Sequence, residues 1–180
     1  MAEHKSGIST PQPASTSATL THGHRTADIP LSFIGNVNIA VRIVQDKYPA
    51  AVLYEVEANA PGNTPTTDTR DVTVIRAVFG VDGSTVFISA TEPWGTWAAP
   101  TFVSKPWGGD RVTPWPVEYD LVPAYATLRA ARYTQPFTGV TLRWPLSFDA
   151  PEEPSYYFGF EDGSSVRVGV DTHVVEPVTA

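Results

Sequence analysis

Apolar residues recur along this chain with two different periods. Ile34, Val37, Val41, Val44 and Tyr48 fall three and four apart, which puts them on one face of a helix over about 35–47. Tyr48-Pro49 stops it, because the residue before a proline is pushed out of the α region. The period then shortens. Residues 51–57, 72–79 and 85–90 are rich in β-branched and aromatic side chains and partly alternate, which predicts three strands. A polar, turn-rich stretch over 60–68 separates the first two. Asp82-Gly83 predicts a hairpin between the second and third.

The same order returns in the second half. Leu121, Tyr125, Leu128 and Arg132 lie four, three and four apart and predict a helix over about 122–132, with Asp120 as its cap and Pro123 in its first turn. Gln135-Pro136 stops it. Strands follow at 139–144, 155–160 and 166–170, the last two joined through Asp162-Gly163. The run Phe79-Gly80-Val81-Asp82-Gly83-Ser84-Thr85-Val86 matches Phe158-Gly159-Phe160-Glu161-Asp162-Gly163-Ser164-Ser165-Val166 with one inserted residue. The expected fold is therefore α+β: two tandem units, each one helix packed on an antiparallel β-meander. The alternative is a lipocalin-like β-barrel with short helices.

Two stretches break the pattern. Residues 1–28 are rich in Ser, Thr, Pro and Ala with few large apolar side chains, so they are expected to form a disordered tail. Residues 93–119 hold four of the five tryptophans and five prolines. A connection this long inside one domain is functional or conceals further elements. The expected organisation is thus a tail (1–28), a first unit (29–92), a Trp/Pro-rich connection (93–119) and a second unit (120–180).

Tyr48-Pro49-Ala50 ahead of a strand at 52–57, Asp82-Gly83, and Asp162-Gly163 ahead of a strand at 166–171 resemble the PepSY family and the wider group that includes the β-lactamase-inhibitor-protein fold. The Thr-Gly usual after the last strand's Asp is replaced here by Thr172-His173, and no export signal of the kind typical of the family is visible. The resemblance implies a non-catalytic domain that binds or inhibits proteins. It carries over no catalytic residue.

Composition narrows the chemistry. The 180 residues carry 12 Lys+Arg against 19 Asp+Glu, a formal net charge of −7. With no basic run, nucleic acid is not an expected partner, since phosphate binding needs clustered cations. The lack of cysteine excludes disulfides, thiol catalysis and Cys-ligated metal. No run approaches the roughly 18 apolar residues of a membrane-spanning helix, and no signal peptide is visible, so the expected location is cytoplasmic.

Candidate chemistry is sparse. No phosphate-binding glycine loop, zinc-binding helix motif or nucleophile elbow is present. His22-Gly23-His24 lies in the tail and falls short of four converging ligands, so no metal or other cofactor is expected. His173 stands on or beside the last strand without a converging partner. Glu152-Glu153 reads as a solvated hairpin tip, and Arg129 and Arg132 as solvated helix positions. Two readings remain. In the first, the protein is a non-catalytic binding module that contacts a protein or an apolar small molecule through the sheet face and Trp94, Trp97, Trp107 and Trp115. These tryptophans would plug a seam, line a pocket or form exposed anchors. In the second, Asp110, Glu118, Tyr119 and Asp120 form the acid/base set of a small cofactor-independent cyclase or isomerase, because burial beside aromatic rings raises a carboxylate's pKa.

Overall fold

A computed structural model describes residues 31–90, 95–108, 111–146 and 153–178. Its first helix, α1 (Phe33–Lys47), begins where the Ser32 hydroxyl accepts a hydrogen bond from the Gly35 amide, satisfying one of the donors a helix start leaves unpaired. Phe33, Val37, Ala40 and Val44 are its buried stripe. The second helix, α2 (Leu121–Ala130), buries Leu121, Ala124 and Leu128. Asp120 caps it by accepting from the Leu121 amide at 2.7 Å, and also accepts from the Ile34 amide at 3.3 Å. One carboxylate thereby ties the starts of both helices together. No helix among the described residues is long and apolar enough to cross a membrane.

Eight strands follow in chain order: β1 (Val52–Asn59), β2 (Val74–Val81), β3 (Ser84–Ala90), β4 (Thr101–Val103), β5 (Phe137–Arg143), β6 (Ser155–Phe160), β7 (Ser165–Gly169) and β8 (Val175–Pro177). They form one antiparallel sheet in the order β4-β3-β2-β1-β5-β6-β7-β8. Asp82 and Gly83 both take positive φ in the β2–β3 turn (48° and 76°), the backbone that lets a two-residue hairpin follow the strand twist and that glycine adopts without strain.

This sheet corrects the expected architecture. The chain does not fold as two tandem helix-plus-meander units. β1 pairs with β5 from Glu55↔Arg143 to Asn59↔Gly139, so the hydrogen-bond ladder runs unbroken through the middle of one sheet. The core is equally undivided: Val37 and Val44 of α1 share one buried cluster with Leu121 and Leu128 of α2. The Phe33 ring meets Tyr156 of β6 edge-on at 5.9 Å, joining α1 to the far half of the sheet. The barrel alternative fails as well, because β4 and β8 end the sheet with one neighbour each.

Strand alternation sorts side chains onto two faces. Val56, Ala77, Ile88, Leu142, Phe158 and Val168 point to the helix side and are fully buried or nearly so. Their alternates face away from both helices.

The Trp/Pro-rich connection is not one loop. Trp97 pairs with Ala90, and β4 then extends the sheet along β3. Past β4 the chain crosses the helix-free face, where Trp107 meets Phe87 edge-on at 5.5 Å. Thr113 then docks on a bulge in β1, donating from its amide to the Leu53 carbonyl at 2.8 Å and from its hydroxyl to the Tyr54 carbonyl at 2.6 Å. Beyond it, the Trp115 indole donates to Asn38 on α1 at 2.8 Å. The segment is a strap that passes around the sheet from one face to the other.

Candidate functional site

The helix-free face is built from the alternate residues of the central strands. Register sets Ser89, Arg76, Glu57, Thr141, Tyr157 and Arg167 side by side across β3, β2, β1, β5, β6 and β7. The neighbouring row runs Phe87, Val78, Glu55 and Arg143. Charged and aromatic groups interleave on it. Arg76 donates to Glu57 at 2.6 Å while its guanidinium lies 5.6 Å from the Phe87 ring and 5.9 Å from Trp107. Arg167 pairs with Glu176 of β8. Arg143 lies over Tyr157 at 4.5 Å, and Arg111 over Trp144 at 4.2 Å. Among the described residues, neither Arg143 nor Arg111 has a carboxylate within 4 Å.

Glu55 is only 9% exposed. Burial first, and then the Glu57 carboxylate two residues along the strand, push its pKa above the ordinary range, while Arg143 and Trp107 pull against them. Burial likewise raises the pKa of the Tyr157 hydroxyl, with Arg143 and Arg167 opposing.

The residues expected to carry catalysis are placed differently. Asp110 lies outside the described residues, as does Trp94. Glu118 is exposed at the rim of a groove of about 520 Å³ that also holds Tyr119, Asp171 and His173 between Pro114, Pro116 and Pro154. The Tyr119 hydroxyl donates to the Pro123 carbonyl at 2.9 Å and lies 2.6 Å from the Thr127 hydroxyl; its ring stacks on His173 at 3.9 Å. Asp120 is occupied as the cap of two helices. Glu118 and Tyr119 thus share one groove, whereas Asp120 does not line it and is engaged at the helix starts. Among the described residues no group of three or more His, Asp and Glu stands ready to hold a metal.

The tryptophans also part company. Trp97 and Trp115 pack against the core on the helix side, whereas Trp107 covers the opposite face. Trp144 donates its indole N–H to the Val112 carbonyl at 2.7 Å, anchoring the strap.

Glu153 corrects another expectation. It is 5% exposed rather than solvated. Its carboxylate accepts from the Asp171 amide at 2.7 Å, the Thr172 amide at 2.9 Å and the Thr172 hydroxyl. Burial by itself would raise its pKa, but these hydrogen bonds outweigh it and hold the carboxyl below its ordinary value. Glu152 lies outside the described residues.

Glu55, Arg76, Arg143 and Tyr157 stand out only in the structure. Alternation marks each as belonging to the face opposite the apolar stripe, but which of them touch depends on strand register, and β1 finds its partner β5 across more than 70 intervening residues.

No family model and no curated protein match the chain. A crystal structure of a "putative lipoprotein" from Clostridium difficile 630 is similar over 84% of this chain and 94% of that one, with a TM-score of 0.52 and 13% identical residues. At that identity the likeness concerns the fold.

Proposed function

We propose that this protein is a non-catalytic binding module that docks a protein partner on the helix-free face of its sheet, beside Trp107 of the strap. The observation that supports the reading is the face itself: both helices lie on the other side, and Arg76 and Arg143 lie here over aromatic rings. Trp, Tyr and Arg are the side chains that dominate binding energy at protein interfaces, because each presents a large, semi-rigid surface with a polar handle. Stacking orients each guanidinium before a partner arrives, which lowers the entropy lost on binding. The engagement of Asp120 as a helix cap and of the Tyr119 hydroxyl with Pro123 and Thr127 favours binding over acid/base chemistry, and the PepSY-like resemblance agrees with it.

The test is affinity capture from extracts of the source cells with four baits: the wild-type chain, Trp107→Ala, Tyr157→Ala, and Arg129→Ala on α2 as a control. A partner held by the wild type and by Arg129→Ala should be weakened at least about tenfold by either face variant, with melting temperatures close to wild type. A partner whose capture is indifferent to Trp107 and Tyr157 would overturn the reading.

A further inference from the structure

We propose that the trough between β5 and β6 on the helix-free face, floored by Gly139 and Gly159 and bordered by Arg143 and Tyr157, seats a carboxylate-bearing segment of the partner protein. This rests on the reading of that face as a docking surface and adds the chemistry it recognises.

Gly139 and Gly159 face each other directly across the two strands. Lacking side chains of their own, they leave a depression of about 340 Å³ whose sides include Asn59, Thr141, Ser165, Arg143 and Tyr157. The two glycines have different standing. The Asn59 side chain lies over Gly139, its oxygen 2.1 Å from where a Cβ would sit, so a side chain at 139 would have to turn Asn59 aside. A Cβ at Gly159 would meet only the Thr138 hydroxyl at 3.8 Å and the Gly139 carbonyl at 4.0 Å, both ordinary contacts, and its φ is not positive. Glycine inside a strand weakens it and often marks the close approach of a ligand or another backbone. Nothing in the packing of this chain asks for glycine at 159; an incoming chain would.

Charge then selects the occupant. Of the guanidiniums in the central rows, Arg76 and Arg167 are neutralised by Glu57 and Glu176. Arg143 is not: stacked on Tyr157, it commits one Nη1 hydrogen bond to the Trp144 carbonyl at 3.3 Å, and no carboxylate comes within 4 Å among the described residues. Glu55 faces it in register and attracts it, but no Glu55 oxygen comes within 4 Å of the guanidinium, whose donors it therefore does not take up. What remains is an oriented guanidinium fork with donors to spare at the edge of the trough. A carboxylate fits the fork in bidentate fashion. The chain as a whole carries −7, so the attraction is local and selects a segment with a correctly placed acidic side chain over a generally acidic surface.

The experiment follows backbone amide NMR shifts of the full-length labelled chain during titration with acetyl-Gly-Glu-Gly-Glu-Gly-amide. The corresponding lysine peptide and inorganic phosphate serve as comparisons. The glutamate peptide should give saturable shifts at Gly139, Gly159 and Ser165, and the lysine peptide none. Arg143→Gln should weaken binding about tenfold, the loss expected for a charge-assisted hydrogen bond. Gly159→Val should abolish it by filling the trough, and Arg129→Gln should bind as wild type. Should Gly159→Val prove unstable on thermal melting, Gly159→Ala carries the same test. Shifts that are absent, that lie elsewhere, or that survive both Arg143→Gln and Gly159→Val overturn the proposal. So does phosphate reproducing the pattern with the same variant dependence, which would mark a small-anion site. Face-dependent partner capture together with a silent glutamate titration would remove this inference and leave the docking surface standing.

Discussion

At the residue scale, Glu153 shows how burial of a charge is made tolerable. Three hydrogen bonds from Asp171 and Thr172 reach its carboxylate, and a single hydrogen bond to a charged acceptor contributes about 1.5–3 kcal/mol. Its pKa in the folded chain lies below the ordinary 4.5. The stability it supplies is therefore complete above that value and is lost as the pH falls through the lower folded one. Urea denaturation across an acid series should show the wild type losing stability below about pH 4.5, a limb that Glu153→Gln flattens while also lowering stability at neutral pH. Equal acid limbs in the two proteins would show that the carboxylate is not held as the structure places it.

At the scale of elements, Asp120 and Thr113 matter more than their size suggests, because each joins parts distant in sequence. Asp120 serves the start of α2 and, through the Ile34 amide, the start of α1. Asp120→Ala should cost about 1–2 kcal/mol, the upper part of the range for a lost cap, with faster hydrogen exchange at both Ile34 and Leu121. Exchange that quickens at Leu121 alone would mean that the two helices are not coupled through this carboxylate. Thr113 does for the strap what Asp120 does for the helices: it satisfies two carbonyls of the β1 bulge and fixes where the chain leaves the helix-free face. Residues 93–119 read in sequence as a connection of uncertain job, since proline density hides the three-residue β4 and tryptophan composition does not tell which face each indole meets. Trp107 and Trp115 differ in role because the strap turns between them.

At the scale of the whole molecule, one sheet and one core imply one cooperative unit. β1 and β5 meet at its centre, with Val56 opposite Leu142, both fully buried. Calorimetry should give a single transition whose van't Hoff and calorimetric enthalpies agree, and Leu142→Ala, at a cost of about 2–5 kcal/mol, should lower it without splitting it. Two resolved transitions would restore independent units. Both helices and the six longer strands were legible along the chain, because three-and-four spacing and alternation are local properties of a few consecutive residues. The stop at Tyr48-Pro49 and the Asp82-Gly83 turn were legible for the same reason. The short edge strands β4 and β8 were not, since three residues carry too little pattern.

Local pattern also determined which side chains of each strand share a face, and with it that Glu55, Glu57, Arg76, Arg143 and Tyr157 stand away from the apolar stripe. Only the tertiary structure decided that these residues belong to one surface. That decision lies in the β1–β5 pairing and its register, a long-range contact between segments that sequence order keeps apart. A shift of one residue would send every alternate side chain to the other side. The same pairing made one sheet of what reads, strand by strand, as two, and tertiary contacts engaged Asp120 at the starts of both helices while Glu118 stands on an exposed rim.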